Sequence, residues 1–443
     1  MEVIQEIFKN GNVQWVLLGT LLLGLCSGVL GSFALLKKQS LIGDAMAHAA
    51  LPGICLAFLI VGEKALIPFI IGATILGMIA TYCIQFIVRH SRIKEDTSIG
   101  LVLSVFFGIG IVLLTYIQHN GAGNQSGLDD FLFGQAASLV GADVQIISII
   151  SLLLLGVTAL LFKELKVITF DPQFAKGLGL PVRGLNGLLM TMIVLAVVIG
   201  LQAVGVILMS ALLITPAITA RYWTDKLNVM TILSGIMGLI SGGIGTIVSL
   251  SYASLPTGPV IILSLTVLFL FSLLFSPKRG LISTLIKRIR FNQNMLREDV
   301  LILFYEGEEW AKLQKKQDYS LSMSSSDLMK TRFISQRKLE RNLKNLRSEQ
   351  LLKKNSREEY RLTEEGLSVA HELTLKRRLM EVYLMNEMHY GHLQLRTAHG
   401  EIRDIPKDIL TELLDILKNQ GRMPLLLKEQ ESKLQETKPE NIS

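Results

Sequence analysis

Charged side chains are scarce in the first 275 residues of this 443-residue chain and dense after them. No Asp, Glu, Lys or Arg occurs between 227 and 275. Half of the chain is hydrophobic and its mean hydropathy is +0.45, which is too apolar for a water-soluble protein of this length. The shortage of charge therefore excludes a soluble or secreted enzyme. It also divides the chain into a membrane domain over 1–276 and a polar part over 277–443.

Cysteines and nucleotide-binding motifs are also scarce or absent. The three cysteines, Cys26, Cys55 and Cys83, lie in apolar runs without metal-site spacing, which excludes a disulfide framework and predicts small core side chains. The phosphate loop Gly-x-x-x-x-Gly-Lys-Ser/Thr does not occur, so any ATP hydrolysis must come from a separate subunit. The first apolar run continues into another span without a small-residue cleavage site, so we do not expect a cleavable signal peptide.

Long apolar runs are what the chain has in abundance. About 20 apolar residues cross a hydrocarbon core of about 30 Å. Such runs occur at 14–36, 44–62, 65–88, 97–118, 144–162, 186–201, 203–220, 228–250 and 258–275. We predict an all-α polytopic membrane domain of nine spans, or eight if 186–220 does not make two full crossings. Glycines such as Gly24, Gly28 and Gly31 recur inside the runs and predict close helix packing, as in a transporter core.

The distribution of Lys and Arg predicts the orientation. Basic loops at 37–38, 89–94, 163–183, 221–226 and 278–279 alternate with loops that are poor in Lys and Arg at 62–64, 119–141 and 251–259. By the positive-inside rule the basic loops are cytoplasmic. We therefore expect a multi-pass plasma-membrane protein whose C-terminal part is cytoplasmic, with an external N-terminus if the spans number nine.

Asp44 and His48 are the ionisable residues that stand out within the spans. They are four positions apart, so a helix places them on one face. Intramembrane ionisable residues usually line a pathway, and a carboxylate with an imidazole suits manganese, iron or zinc better than copper(I). The structural alternative is that Asp44 caps the helix and His48 bonds to a backbone carbonyl. Because two ligands are too few for a firm site, we expect a second permease, identical or homologous, to supply two more.

Five stretches carry a resemblance to a known family: 41–53, 91–100, 131–134, 170–179 and 205–217. In these stretches residues 12–275 resemble the manganese/zinc/iron permease family of ATP-binding-cassette importers. The resemblance implies a transport subunit and not an enzyme, with no resident cofactor. It implies three partners: a cytoplasmic ATPase, a second permease and an extracellular metal-binding lipoprotein. The family's intramembrane metal ligands fall on Asp44 and His48.

A short stretch at 171–179 is a candidate contact for the ATPase. It lies in a basic loop, is compatible with a helix and contains small residues, so it suits a groove on a partner. In the family the equivalent segment is the coupling helix, which by resemblance assigns coupling to Asp171, Phe174, Ala175, Gly177 and Gly179. The alternative is an ordinary turn-rich loop.

The polar part begins with a basic juxtamembrane linker, 277–294, which suits an anionic leaflet. We predict helices at 297–304, from 327, at 334–352 and at 367–388, with a two-stranded wing at 353–366. The leucines at 339, 343 and 346, with the stretches 361–366, 377–384 and 398–403, resemble the winged-helix and dimerisation parts of iron- and manganese-dependent repressors. The fold class predicted for 295–425 is therefore a winged-helix-like α+β domain. The last stretch, 426–443, is polar and predicted to be disordered.

Two functions are open for this tail. Its third helix carries a basic face, formed by Arg337, Lys338, Arg341, Lys344 and Arg347, which suits either a DNA groove or an anionic lipid or protein partner. We favour regulation or dimerisation over nucleic-acid binding, because nearby glutamates dilute the face and a membrane tether limits any search for DNA. Where the repressors place a Glu-His metal pair, this chain has Glu401-Ile402. A rearranged site with His389, His392 and His399 is the alternative to surface histidines.

The function predicted from the sequence is therefore the permease subunit of an ATP-driven importer of divalent metal ions. Manganese is favoured because the tail resembles iron- and manganese-sensing proteins, and zinc or iron is the alternative. A rival from a different class is a membrane-tethered metal-responsive regulator. It is disfavoured because an anchor needs one or two helices and not nine.

Overall fold

The computed structural model describes residues 11–62, 65–120, 141–252, 255–314, 322–324, 328, 336–356, 359–386 and 407–426. The chain forms two compact units, Met1–Leu285 and Ile286–Ser443. One helix, α12, begins in the first unit and ends in the second.

The first unit is built of helices. They are α1 (Gly11–Leu36), α2 (Ile42–Val61), α3 (Leu66–His90), α4 (Glu95–Asn120), α5 (Gly141–Leu160), α6 (Phe162–Phe170), α7 (Pro172–Gly177), α8 (Val182–Val204), α9 (Val206–Trp223), α10 (Leu227–Ser251), α11 (Thr257–Phe275) and the start of α12 (Leu281–Leu313). Their long apolar sequences explain why they form helices here, since a helix satisfies its own backbone in lipid.

Eight of these helices are long and apolar enough to cross a membrane within the described part of the chain: α1–α5, α8, α10 and α11. The ninth predicted span corresponds to α9, which follows a break at Gly205 (φ +91°) and has 18 residues. Such a helix is about 27 Å long, slightly less than the hydrocarbon core. The eight candidates agree with the lower of the two predicted counts, and the ninth crossing stays a prediction.

Helices α1 and α10 approach each other so closely at their glycines that a Cβ atom does not fit there. A Cβ atom at Gly24 would lie 2.3 Å from the carbonyl oxygen of Gly238, and one at Gly28 would lie 2.3 Å from that of Ser234. Polar side chains join the same helices: the hydroxyls of Thr20 and Thr246 are 2.8 Å apart. The predicted close packing at Gly24 and Gly28 is thus confirmed.

Helix α2 packs against α3, α4, α8 and α9. Gly53 fits against the backbone of Gly72 in α3, where a Cβ atom would lie 2.4 Å from the carbonyl oxygen. The Thr81 hydroxyl of α3 donates to the Met46 sulfur at 3.0 Å. The cysteines Cys26 and Cys55 are buried and all three are unpaired, as predicted. These contacts hold α2 among its neighbours.

The second unit contains the rest of α12, then α13 (Gln336–Ser348), β1 (Leu352–Lys354), β2 (Tyr360–Leu362), α14 (Glu364–Met385) and α15 (Lys407–Asn419). The strands pair antiparallel with Leu352 opposite Leu362. One core cluster joins α12, α13, the hairpin and α14, and a second joins α14 to α15 through residues such as Leu379 and Leu413. The helix predicted from 327 lies mostly outside the described residues, as does nearly all of 426–443.

Three predicted elements of this unit differ in their bounds. The 297–304 segment is part of the 33-residue helix α12, which also contains most of the predicted linker 277–294. The hairpin spans 352–362, and the end of the predicted wing 353–366 belongs to α14 instead. Helix α14 begins at Glu364, because the Thr363 hydroxyl caps it by accepting from the Gly366 N–H at 3.0 Å.

Candidate metal centre

Asp44 and His48 lie in the first half of α2, on the same face of the helix. From 42 to 55 every residue of α2 is buried except these two. Their side chains are 37% and 17% exposed, respectively. The carboxylate and the imidazole of this stretch are therefore also its two partly exposed side chains.

The geometry does not match the structural alternative for either residue. The N-cap position of α2 is Leu41, and no side chain caps the helix there. The His48 Nε2 atom lies 3.6 Å from Asp44 Oδ1, which is too long for a good hydrogen bond. The His48 Nδ1 atom is buried and has no hydrogen-bond partner among the described residues. An imidazole without a carbonyl partner on either nitrogen keeps a lone pair available for a cation.

The wall beside this pair comes from α4. The Phe107 ring stands edge to face on the His48 ring, with centroids 4.8 Å apart and planes at 79°. Further along, a Cβ atom at Gly110 would lie 2.9 Å from Leu51, so α2 and α4 are in close contact. The sequence analysis missed Phe107, because an aromatic residue within an apolar run carries no signal that separates a site wall from a lipid-facing surface.

Among the described residues, Asp44 and His48 form a pair of candidate metal ligands without a third His, Cys, Asp or Glu side chain beside them. Among them there is no group of three or more His, Cys, Asp or Glu side chains arranged to hold a metal ion. One carboxylate and one imidazole can contact a passing divalent cation but do not complete a tetrahedral or octahedral set. A third His, Cys, Asp or Glu ligand near this pair would have to come from outside the described residues of this chain.

The polar groups at the loop between α1 and α2 tie this end of the unit together. Lys37 donates to the Asn186 side chain of α8, and Gln39 donates to Glu95 of α4 at 2.7 Å. Burial lowers the pKa of Lys37 to about 8, although the nearby Glu95 carboxylate opposes the change. The loop that precedes α2 is thus attached to two neighbouring helices.

The stretch predicted to contact an ATPase forms α7. Asp171 caps this six-residue helix, since its Oδ1 accepts from the Gln173 and Phe174 N–H groups at 3.0 and 2.9 Å. Ala175 is buried, whereas Phe174 is 58% exposed. Gly177 and Gly179 have open space around the position of a Cβ atom, and Gly179 adopts a φ of +78°.

Two further residues extend the exposed surface of α7. Phe170, Phe174 and Leu178 are spaced four apart and each is 58–59% exposed. Exposed apolar side chains of this kind on a loop segment suit a groove on a protein partner. Phe170 and Leu178 were not among the predicted residues, although the spacing of large apolar side chains in the sequence was a usable signal.

In the second unit the basic face of α13 is exposed, while Leu339, Leu343 and Leu346 are buried. Glu340, one of the glutamates that dilute this face, accepts from Gln336 at 2.9 Å. The predicted alternative metal site with His389, His392, His399 and Glu401 lies outside the described residues, as does the 131–134 motif.

The chain is similar in sequence to known membrane transport proteins. The ABC 3 transport family matches residues 9–276. The manganese transport system membrane protein MntC of Bacillus subtilis is 51% identical over 416 residues, which cover 94% of each chain. The zinc transport system membrane protein TroC of Treponema pallidum is 44% identical over 66% of this chain and 97% of its own.

The membrane unit is also similar to a solved structure. PsaBC from Streptococcus pneumoniae in complex with Fab has a chain that is 34% identical, with a TM-score of 0.57, over 63% of this chain and 96% of that one. The alignment with the Bacillus protein extends well past residue 276, so that protein also carries a counterpart of the polar part. The family match covers more than half of the residues, and the chain belongs to the ABC 3 transport family.

Proposed function

We propose that this chain is the membrane permease subunit of an ATP-driven importer of divalent metal ions, with manganese as the favoured cargo. The family match and the relatives named as manganese and zinc transport proteins support the class of cargo. The chain is a transport subunit and not an enzyme. The observation that carries the proposal is the Asp44–His48 pair, partly exposed on a buried stretch of α2.

The proposed metal path passes this pair. A divalent cation that has lost some of its water needs replacement donors, and the Asp44 carboxylate and His48 imidazole provide an oxygen and a nitrogen. The carboxylate also lowers the electrostatic cost of a cation in this apolar surrounding. The Phe107 ring limits the volume beside His48 and restricts the directions from which the imidazole is reached.

A second permease subunit, identical or homologous, completes the proposed site. Two copies related by a twofold axis would bring two carboxylates and two imidazoles together, which is a sufficient ligand set for a first-row divalent ion. The partial exposure of Asp44 and His48 agrees with a position at such an interface. The transported ion is cargo, and we propose no resident cofactor.

The energy for transport comes, in this proposal, from a separate cytoplasmic ATPase that docks on α7. The exposed Phe174 side chain provides the apolar contact, and the Asp171 side chain stabilises the short helix by capping its N-terminus. An extracellular metal-binding lipoprotein delivers the ion at the other side. The chain is thus a multi-pass plasma-membrane protein with its polar part in the cytoplasm.

Metal accumulation measured element by element tests this function. Cells that express the intact transporter should accumulate manganese, and the Asp44→Asn variant should lose that accumulation at equal protein level. Zinc or iron accumulation is the alternative, since the same oxygen–nitrogen pair suits these ions. Selective loss of zinc in Asp44→Asn, with manganese unchanged, would overturn the choice of manganese and retain the metal permease.

For the second unit we propose a winged-helix-like fold with a regulatory or dimerisation role. The order of α12, α13, the β1–β2 hairpin and α14 supports the fold, and the glutamates near α13 argue against DNA as the partner. The full-length protein in lipid nanodiscs should not retain DNA from the importer's own promoter at physiological salt. Retention that is lost in an Arg341→Glu, Lys344→Glu variant would favour the membrane-tethered regulator instead.

A further inference from the structure

The first half of α12 carries an apolar stripe that no described residue covers. Leu281, Ile282, Leu285, Ile286 and Ile289 follow the spacing that places residues on one face of a helix. Their side chains are 39–57% exposed. Lys287, Arg290 and Asn294 lie on the opposite side of the helix. A helix with these two faces is amphipathic and basic, the combination that binds in the plane of a membrane interface.

The start of α12 is held at the end of the membrane unit. Asp225, in the loop between α9 and α10, pairs with Lys278 at 3.2 Å and Arg279 at 2.6 Å. The Ser276 hydroxyl donates to the Tyr222 carbonyl oxygen, and the Trp223 indole N–H donates to Ser272 at 2.9 Å. Aromatic residues of this kind are enriched at membrane interfaces. The apolar stripe therefore begins within a few residues of the last span.

The charges along the segment indicate which surface it meets. Lys278 and Arg279 are already paired with Asp225. Between 281 and 297 the charged residues are Lys287, Arg288, Arg290 and Arg297, and no acidic residue occurs there. Arg297 is paired with Glu349 at 2.6 Å, whereas Arg288 and Arg290 lie exposed beside the apolar stripe. The cytoplasmic leaflet carries anionic lipids that attract such a cluster.

We propose that residues 281–290 form an interfacial anchor, with the apolar stripe inserted among the lipids and the basic residues on anionic headgroups of the cytoplasmic leaflet. The continuity with the last span, the exposed stripe and the one-signed charge each fit a lipid surface.

Site-specific fluorescence in nanodiscs tests this anchor in the full-length chain. A fluorophore is attached at Ile289→Cys, on the stripe, or at Asn294→Cys, the matched control on the opposite face. Cys83→Ala removes the native thiol that is not buried. In nanodiscs with phosphatidylglycerol, nitroxide-labelled lipids should quench the label at 289 and aqueous iodide should not. The label at 294 should show the reverse.

A second variant tests how much the basic residues contribute to membrane insertion. Replacing Arg288 and Arg290 by Gln should lower the ratio of inserted to free helix by about fivefold for each removed charge. The same decrease should appear when phosphatidylcholine replaces phosphatidylglycerol.

Three results would overturn the proposal. Labels at 289 and 294 with equal iodide quenching would show that the stripe is not inserted. Equal protection in both lipids would remove the role of anionic headgroups. Protection that requires the ATPase, or that appears only in discs with two permeases, would assign the stripe to a protein partner.

Discussion

Asp44 Oδ1 and His48 Nε2 lie 3.6 Å apart on one turn of α2, and these two residues are the partly exposed positions in the buried stretch 42–55. Among the described residues, no backbone carbonyl accepts a hydrogen bond from the buried Nδ1 of His48. Placing a polar pair of this kind in an apolar surrounding costs free energy, so such pairs usually bind a ligand or serve a function. The arrangement leads directly to a test of the proposed metal path.

We expect Asp44→Asn and His48→Gln each to lower metal uptake by at least about 10- to 100-fold, the range in which weaker perturbations of metal sites fall. Uptake of isotope-labelled manganese in cells with matched membrane levels of permease measures this. Asp96→Asn and His90→Gln are the controls, because both residues are exposed near helix ends. Uptake that survives both Asp44→Asn and His48→Gln would remove the pair from the path.

The contact between α1 and α10 gives a stability prediction. Gly24→Ala places a methyl group 2.3 Å from the Gly238 carbonyl oxygen, so the helices must separate. Overpacking of this kind costs about 1–3 kcal/mol. The loss should appear as a lower unfolding temperature in detergent. Gly156→Ala in α5 has open space around the new methyl group and should leave that temperature unchanged. Equal effects of the two substitutions would contradict the close contact.

The sequence predicts the features that depend on local pattern. The spans follow from hydrophobic length, the contact at Gly24 and Gly28 from the recurrence of glycine, and the shared face of Asp44 and His48 from helical spacing. The hairpin and α14 were expected within a few residues of their observed bounds. In each of these cases the determining property lies within one segment of chain.

The sequence does not predict features that need two distant segments. Phe107 becomes a wall of the candidate site only because α4 packs on α2. The Asp225 ion pairs join loops that are more than 50 residues apart. Whether α9 crosses the whole membrane depends on a difference of a few ångströms in helix length, and hydropathy does not resolve such a difference.

Phe174 provides the test of the docking surface. Phe174→Ala removes an exposed apolar side chain of α7, so we expect weaker association with the ATPase subunit and lower transport, while the permease keeps its unfolding temperature. Co-purification measures the association, and metal uptake by the reconstituted complex measures the transport activity. Tyr252→Ala removes a 63% exposed aromatic residue beyond the far end of α10 and should alter neither. A Phe174→Ala complex of full yield and activity would show that α7 does not dock.

The segment 422–426 should become less protected in acid. Burial raises the pKa of Glu381, but hydrogen bonds from Arg422 and Arg377 outweigh this effect and hold the pKa below its usual value. The contribution of the pair to stability is therefore complete above the ordinary pKa of about 4.3 and is lost as the pH falls through the lower folded value. Hydrogen exchange at 422–426, corrected for its intrinsic pH dependence, should rise over that range. The Glu381→Gln variant should lack this rise, and the same rise in both proteins would contradict the role of Glu381.

Glu309 should be an acidic residue on which the stability of the second unit depends. Its carboxylate receives both terminal nitrogens of Arg378 and the Leu425 N–H, and only 15% of the Arg378 side chain is exposed. Glu309→Ala leaves that guanidinium buried without its partner, so we expect a loss of about 3–5 kcal/mol in the stability of this unit. Hydrogen exchange in α14 of the full-length protein measures it. Glu298→Ala, at an exposed position of the same helix, is the control. Equal exchange in the two variants would mean that the Arg378–Glu309 pair does not hold the C-terminal segment against α12 and α14.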